Sequence, residues 1–122
     1  MKESKRGLAH LAAAFRNSMR GFSAAFRREA AVRQEFAAGA VHFILLAALR
    51  MSWLERILLT ASWLAWLAVE LLNSAIEEIV DFVSPEWREF AKRAKDYASA
   101  AVLCTISIFV LGWSAAIARA VF

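Results

Sequence analysis

Turn chemistry is scarce in this chain, with one proline and four glycines in 122 residues. Sheets need frequent turns and period-2 alternation of apolar and polar residues. Neither is sustained here, so an almost all-helical protein is expected. The single cysteine, Cys104, excludes a disulfide framework or a cysteine-based metal cluster within one chain. Set in an apolar run, it reads as a small packing residue. No Cys/His arrangement has zinc spacing. The phosphate-binding patterns of soluble proteins are missing too: there is no GxxxxGK[ST] loop, no GxGxxG and no H-x-D catalytic-loop pattern. No continuous apolar core follows Met1-Lys2, and charges recur through the first 35 residues. A cleavable signal peptide is therefore not expected, and the first span should act as its own insertion signal.

What is abundant is apolar surface. Hydrophobic residues make up 61% of the chain, and its mean hydropathy is +0.49. A soluble domain of this size has too little interior to hide that much apolar area, whereas a bilayer accommodates it. The net charge is +4. Its basic residues flank apolar stretches and form no domain of their own. Attraction to anionic head groups accounts for them better than nucleic acid does, and no nucleic-acid partner is expected.

The chain reads as one membrane domain over residues 1–122, all-α, with three transmembrane helices and an N-terminal amphipathic surface helix. Over 4–34, Leu8, Leu11, Phe15, Met19, Phe22 and Phe26 recur at helical spacing as one apolar stripe, while Arg16, Arg20, Arg27 and Arg28 supply a basic face. Such a helix lies on the membrane surface or, alternatively, packs on a soluble partner. Spans are expected over 36–54, 57–83 and 98–119. The segment Arg50–Arg56 is read as the turn between the first two, with Trp53 an interfacial anchor. Ser84-Pro85 should end the second span, and Pro85 should open a new helix after a serine cap. Residues 86–97 then form a polar connection. Eight Lys and Arg precede the first span and four lie in that connection, against Arg50, Arg56 and Arg119 on the other side. This asymmetry predicts a cytoplasmic N-terminus and an external C-terminus.

The informative stretch is Glu70–Asp81. At about 100° per residue, Glu70, Asn73, Glu77 and Asp81 share one face of an otherwise apolar helix. Glu70 follows a long apolar run, and an ionisable group at that depth costs roughly 2.5–3.5 kcal/mol on insertion scales unless paired or hydrated. The bland reading is a polar seam between helices. Glu29 and Glu35 flank the junction of surface helix and first span, and Arg93-Ala94-Lys95-Asp96 precedes the third. Carboxylates from two helices with a lysine at one interface fit phosphoryl transfer. Glu29 and Glu77, nearer water, suit binding of Mg²⁺, which takes oxygen ligands. Lys95 can neutralise phosphate charge, and the deeper Glu70 suits proton abstraction from a hydroxyl. His42, mid-span with no acid nearby in sequence, reads as a packed polar side chain. His10 lies on the surface helix.

Three stretches carry a resemblance: Glu29-Ala30-Ala31-Val32-Arg33-Gln34-Glu35, Glu70-Leu71-Leu72-Asn73-Ser74-Ala75-Ile76-Glu77 and Arg93 to Val102. In order and spacing they look like the signature stretches of the prokaryotic diacylglycerol kinase family, and the likeness covers nearly the whole chain. The resemblance implies a homotrimer of three-span subunits in the bacterial inner membrane, with active sites shared between neighbours. It implies MgATP as phosphate donor and a membrane alcohol, usually diacylglycerol, as acceptor. Carried over by motif, Glu70 is the general base and Glu29 and Glu77 are the metal ligands. The nucleotide side comprises His10, Asn17, Glu29, Asn73, Glu77, Glu86, Trp87, Arg88, Lys95 and Asp96. Ala31, Val32, Arg33, Gln34, Glu35, Arg56, Glu70 and Ser99 border the lipid.

This sequence departs from the family mainly in the surface helix: His10 replaces an arginine, Asn17 a tyrosine and Met19 a tryptophan. Trp87 stands where better-known members have a tyrosine. The leading expectation is a diacylglycerol kinase. An undecaprenol kinase is the alternative within the same chemistry, and a non-enzymatic oligomer with an acidic helix seam is the alternative outside it. A packing seam has no need of Glu29, Glu77 and Lys95-Asp96 together.

Overall fold

The computed structural model describes residues 2–122 as four helices, with no strand among the described residues. They are α1 (Lys2–Arg28), α2 (Ala30–Ala48), α3 (Trp53–Val83) and α4 (Glu89–Val121). The last three are long and apolar enough to cross a membrane. At 1.5 Å per residue, α2 is about 29 Å long, close to the roughly 30 Å hydrocarbon thickness. By the same measure α3 and α4 reach about 46 and 50 Å, so both project well beyond the hydrocarbon. α3 packs most extensively on α4 and less on α2. Leu8, Leu11, Phe15, Met19 and Phe26 leave the apolar stripe of α1 exposed.

The first boundary departs from the expected one. The N-terminal helix does not continue to residue 34 but stops at Arg28, and α2 opens at Ala30. Glu29 alone is extended (φ −112°, ψ 114°) and still donates its backbone N–H to Ala25 O at 2.8 Å. The carbonyls freed by the break need partners, and Arg33 supplies them: its Nη1 donates to Phe26 O and Arg27 O at 2.9 and 3.0 Å. Phe26 also meets Phe36 edge-on across the bend.

Two other boundaries differ. The turn between α2 and α3 is confined to 49–52, so Arg56 lies inside α3. A capping box fixes this start: Ser52 Oγ accepts from Glu55 N, and Glu55 Oε2 accepts from Ser52 N. Pro85 does not open a helix. The Ser84 hydroxyl donates to Glu86 O at 3.1 Å, and residues 84–88 are non-helical. α4 resumes at Glu89 after an extended Arg88. Cys104 is exposed on α4 and packs in no interior of the single chain.

The buried core lies toward the α2–α3 turn, where Leu46, Leu59 and Trp113 meet. Above it sits a polar group that ties three spans together. Trp113 Nε1 donates to His42 Nδ1 at 3.1 Å, which leaves the ring proton on Nε2 to donate to Thr60 Oγ1 at 3.1 Å. His42 is a packed polar side chain, as expected from the sequence. At the same end Arg119 makes a two-pronged contact with Glu55.

One close approach sets the distance between α2 and α3. A Cβ at Gly39 would stand 2.5 Å from Trp63 Cζ2 and 2.7 Å from Cε2. The ring is buried and tethered, since Trp63 Nε1 donates to Glu35 O at 3.1 Å. It has little room to yield. Gly39→Ala is therefore expected to destabilise the protein by about 1–3 kcal/mol through overpacking. At Gly112 the nearest neighbour is the flexible Leu59 Cδ2 at 3.0 Å, and Gly112→Ala should be milder. Thermal unfolding in detergent checks this, and an unchanged midpoint for Gly39→Ala would contradict it.

Candidate active site

The helical repeat puts Glu70, Asn73, Glu77 and Asp81 on one stripe of α3, running from the buried region toward the end of the helix. Glu70 is buried, Asn73 and Glu77 are half-buried, and Asp81 is exposed. Asn73 Nδ2 donates to Glu77 Oε1 at 3.5 Å. Its Oδ1 is buried without a hydrogen-bond partner.

The break between α1 and α2 delivers a second carboxylate to this stripe. Glu29, half-buried, lies with Glu77 within electrostatic reach of Glu70. Glu35, one turn into α2, is also within reach of Glu70. It is fully buried, and both of its carboxylate oxygens lack a hydrogen-bond partner. Four acids thus converge where α1, α2 and α3 meet. Their neighbours Glu78 and Asp81 are paired, with Arg28 (3.3 Å) and Lys95 respectively. Glu29 and Glu77 make no ion pair among the described residues.

Carboxylates without an ion pair offer hard oxygen donors, and such donors suit Mg²⁺. Among the described residues no three His, Cys, Asp or Glu side chains meet closely enough to hold a metal alone. That accords with the habit of Mg²⁺, which uses one or two carboxylates and completes its shell with phosphate and water oxygens. The residues present fit the ion.

Two hollows flank the carboxylates. A cleft of about 420 Å³ between α1 and α3 is lined by Ser18, Gly21, Phe22, Glu29, Ser74 and Glu78, among others. A second hollow, about 260 Å³, lies where α3 hands over to α4 and gathers Asp81, Glu86, Trp87, Arg88, Lys92 and Lys95. Glu86, Trp87, Arg88 and Lys95, expected on the nucleotide side, therefore share one wall. Asp96, exposed, accepts from Lys92 Nζ at 2.7 Å.

Other expected positions lie apart. His10 and Asn17 are exposed on α1. Asn17 is next to the cleft residue Ser18, but His10 is about 28 Å of helix from Glu29. Arg56 is about 21 Å along α3 from Glu70. Its guanidinium donates to the carbonyls of Leu46, Leu49 and Met51, closing the end of α2. Val32 is fully buried in the first turn of α2, where Ala31, Arg33 and Gln34 are exposed. Ser99 is exposed on α4, one turn past Lys95.

Two contacts had no counterpart in the sequence reading: the Arg28–Glu78 pair across the α1–α3 cleft and the Asp81–Lys95 pair across α3 and α4. The stripe spacing marks Asp81 and the motif marks Lys95, but nothing in the sequence pairs the two.

The profile of the family described as prokaryotic diacylglycerol kinase matches residues 16–117. A protein named diacylglycerol kinase from Escherichia coli (strain K12) is 40% identical over 118 residues, covering 93% of each chain. One of that name from Pseudomonas aeruginosa is 43% identical over 108 residues, covering 88% of each. Another, from Haemophilus influenzae, is 37% identical over 107 residues, covering 88% of this chain and 91% of its own. With three membrane-spanning helices, an acidic stripe on the second, and likeness over nearly the full length, the chain belongs to the prokaryotic diacylglycerol kinase family.

Proposed function

We propose that this membrane protein is a lipid kinase that transfers the γ-phosphate of ATP to the hydroxyl of diacylglycerol, giving phosphatidic acid at the cytoplasmic face of the inner membrane. The observation that carries the reading is the pair of carboxylates, Glu29 and Glu77, without cationic partners and facing the buried Glu70. Family membership supports the phosphate transfer and the lipid acceptor.

Glu70, at the depth of the hydrocarbon boundary, takes the proton from the acceptor hydroxyl. The oxygen then forms its bond to the γ-phosphorus as the bond to the β,γ-bridging oxygen breaks, and ADP leaves. Glu70 returns its proton to water. Asn73, between Glu70 and Glu77 on the stripe, holds Glu77 through its amide. Glu29 and Glu77 would hold Mg²⁺, which when bound neutralises charge on the β- and γ-phosphates. Lys95 adds a positive charge on the phosphate side. Glu86, Trp87 and Arg88 face the rest of the nucleotide, and the exposed Trp87 ring offers a stacking surface. The start of α2, with Val32 and Glu35 buried and Ala31, Arg33 and Gln34 exposed, borders the acceptor together with Ser99.

The chain assembles in this reading as a homotrimer. Only 11% of the apolar window of α4 is buried within one chain, which leaves most of it to lipid and, in this reading, to neighbouring copies. The excess of Lys and Arg before α2 and around the α3–α4 connection puts the N-terminus and the site in the cytoplasm.

Inverted and right-side-out membrane vesicles carrying the protein test donor, acceptor and face together. With MgATP outside and a mixed lipid extract present, inverted vesicles should form phosphatidic acid, identified by mass, and sealed right-side-out vesicles should not. Phosphorylated polyprenol as the sole product would replace the acceptor. Turnover only by right-side-out vesicles would reverse the orientation.

A further inference from the structure

Where α3 and α4 leave the hydrocarbon, each lysine has its own carboxylate. Lys92 Nζ donates along its own helix to Asp96 Oδ2, four residues on, at 2.7 Å. Lys95 instead reaches across to α3, where its ammonium donates to Asp81 Oδ1. The Arg93–Glu89 pair also runs along α4. Among the described residues, Lys95–Asp81 is the one ion pair joining α3 to α4 at this end; Arg119–Glu55 joins them at the other.

The direction of that reach matters. Asp81 lies one turn beyond Glu77 on the same stripe of α3. Drawn to Asp81, the ammonium comes within electrostatic range of Glu77. It also lies in the hollow lined by Glu86, Trp87 and Arg88. A lysine without such a partner samples many rotamers on a flexible four-carbon stem. The pair adds little to stability, because both side chains remain partly exposed, 38% for Lys95 and 66% for Asp81. Its effect is to aim a charge.

We infer that Asp81 is a positioning residue for nucleotide binding: its carboxylate holds the Lys95 ammonium between the Glu77 carboxylate and the Glu86–Arg88 wall before the phosphates arrive. The inference rests on the kinase reading above and adds a residue to it. Asp81 touches neither lipid nor metal in this account and acts through Lys95 alone.

Two opposite effects are open to Asp81→Asn, and their signs separate them. If Asp81 were only a nearby negative charge, removing it would ease the approach of a triphosphate and lower KM for MgATP. If it pre-orders Lys95, that ordering must instead occur during binding. KM for MgATP should then rise by roughly tenfold, the scale set by fixing a rotamer-rich lysine side chain. KM for diacylglycerol should stay within about twofold, since Lys95 lies on the nucleotide side. Asp81→Ala should match Asp81→Asn, and Asp81→Glu, which keeps the carboxylate, should recover most of the affinity. Glu89→Gln, which removes an exposed acid paired only along α4, is the control and should leave both constants unchanged.

The measurement is steady-state kinetics on the purified full chain in mixed micelles, with thermal midpoints recorded for every variant. An active Asp81→Asn protein with unchanged or lowered KM for MgATP overturns the inference. Equal changes in both substrate constants, or no recovery in Asp81→Glu, overturn it as well. Wild-type protein that fails to phosphorylate lipid with MgATP overturns the kinase reading itself, so the two failures are told apart.

Discussion

Glu70→Gln is expected to lower kcat by about 10²–10⁴-fold, the usual contribution of a positioned general base. Lipid hydroxyls are poor nucleophiles at neutral pH, so loss of the proton acceptor falls on the chemical step. Glutamine keeps the size of the side chain and a carbonyl to face Asn73. Binding of nucleotide and lipid should therefore stay close to wild type, and kcat and kcat/KM should fall together. A carboxylate at membrane depth is costly to keep, so the thermal midpoint of the variant should hold or rise. A polar seam between helices predicts the reverse pattern: poorer assembly with normal turnover per folded protein. Purification, a melting curve and initial rates decide between them, and a variant that keeps most of its kcat removes Glu70 from the chemistry.

Glu77→Gln carries the second large effect. Of the acids around Glu70, Glu29 and Glu77 lack the cationic partners that Glu78 and Asp81 have. Replacing one of them leaves phosphate charge uncompensated in a site that excludes much of the water. The expected loss is about 10²–10³ in kcat at ordinary Mg²⁺, the scale for one lost electrostatic stabiliser. Activity should be partly restored as Mg²⁺ is raised, and chelation should abolish wild-type turnover. Melting behaviour should change little, because Glu77 holds no helix to another and accepts only a 3.5 Å contact from Asn73. A Glu77→Gln protein with ordinary kinetics at limiting Mg²⁺ would falsify the metal assignment.

The parts of this fold that the sequence made legible are those written at short range. Three apolar runs long enough for a bilayer, and one polar stripe at helical spacing, follow from periodicity within a single helix. The stripe from Glu70 to Asp81 was visible because residues three and four apart share a face. What escaped were pairings between residues far apart in the chain. Trp113 and His42 are 71 positions apart, and Arg28 and Glu78 are 50. No local pattern announces such partners, since they follow from how the helices pack. The bend at Glu29 escaped for a related reason. The apolar stripe of α1 runs on toward α2 without a proline or glycine to interrupt it, and the break is stabilised by Arg33 reaching back six and seven residues. Ser84-Pro85 misled in the other direction, because Ser84 closes α3 and the next helix starts only at Glu89.

The single extended residue between α1 and α2 has a mechanical consequence. Glu29 is both the pivot of that joint and a member of the acidic cluster. Its backbone bonds to both helices, N–H to Ala25 O and carbonyl from Arg33 N, so a rotation of one against the other bears on its torsions. A thinner or thicker bilayer changes the tilt of spanning helices, while a surface helix stays with the head groups. In the proposed reading, with α1 on the head groups and α2 across the bilayer, a change in the tilt of α2 falls on this joint. In that reading, acyl-chain length in the host membrane bears on the acidic cluster through one peptide unit.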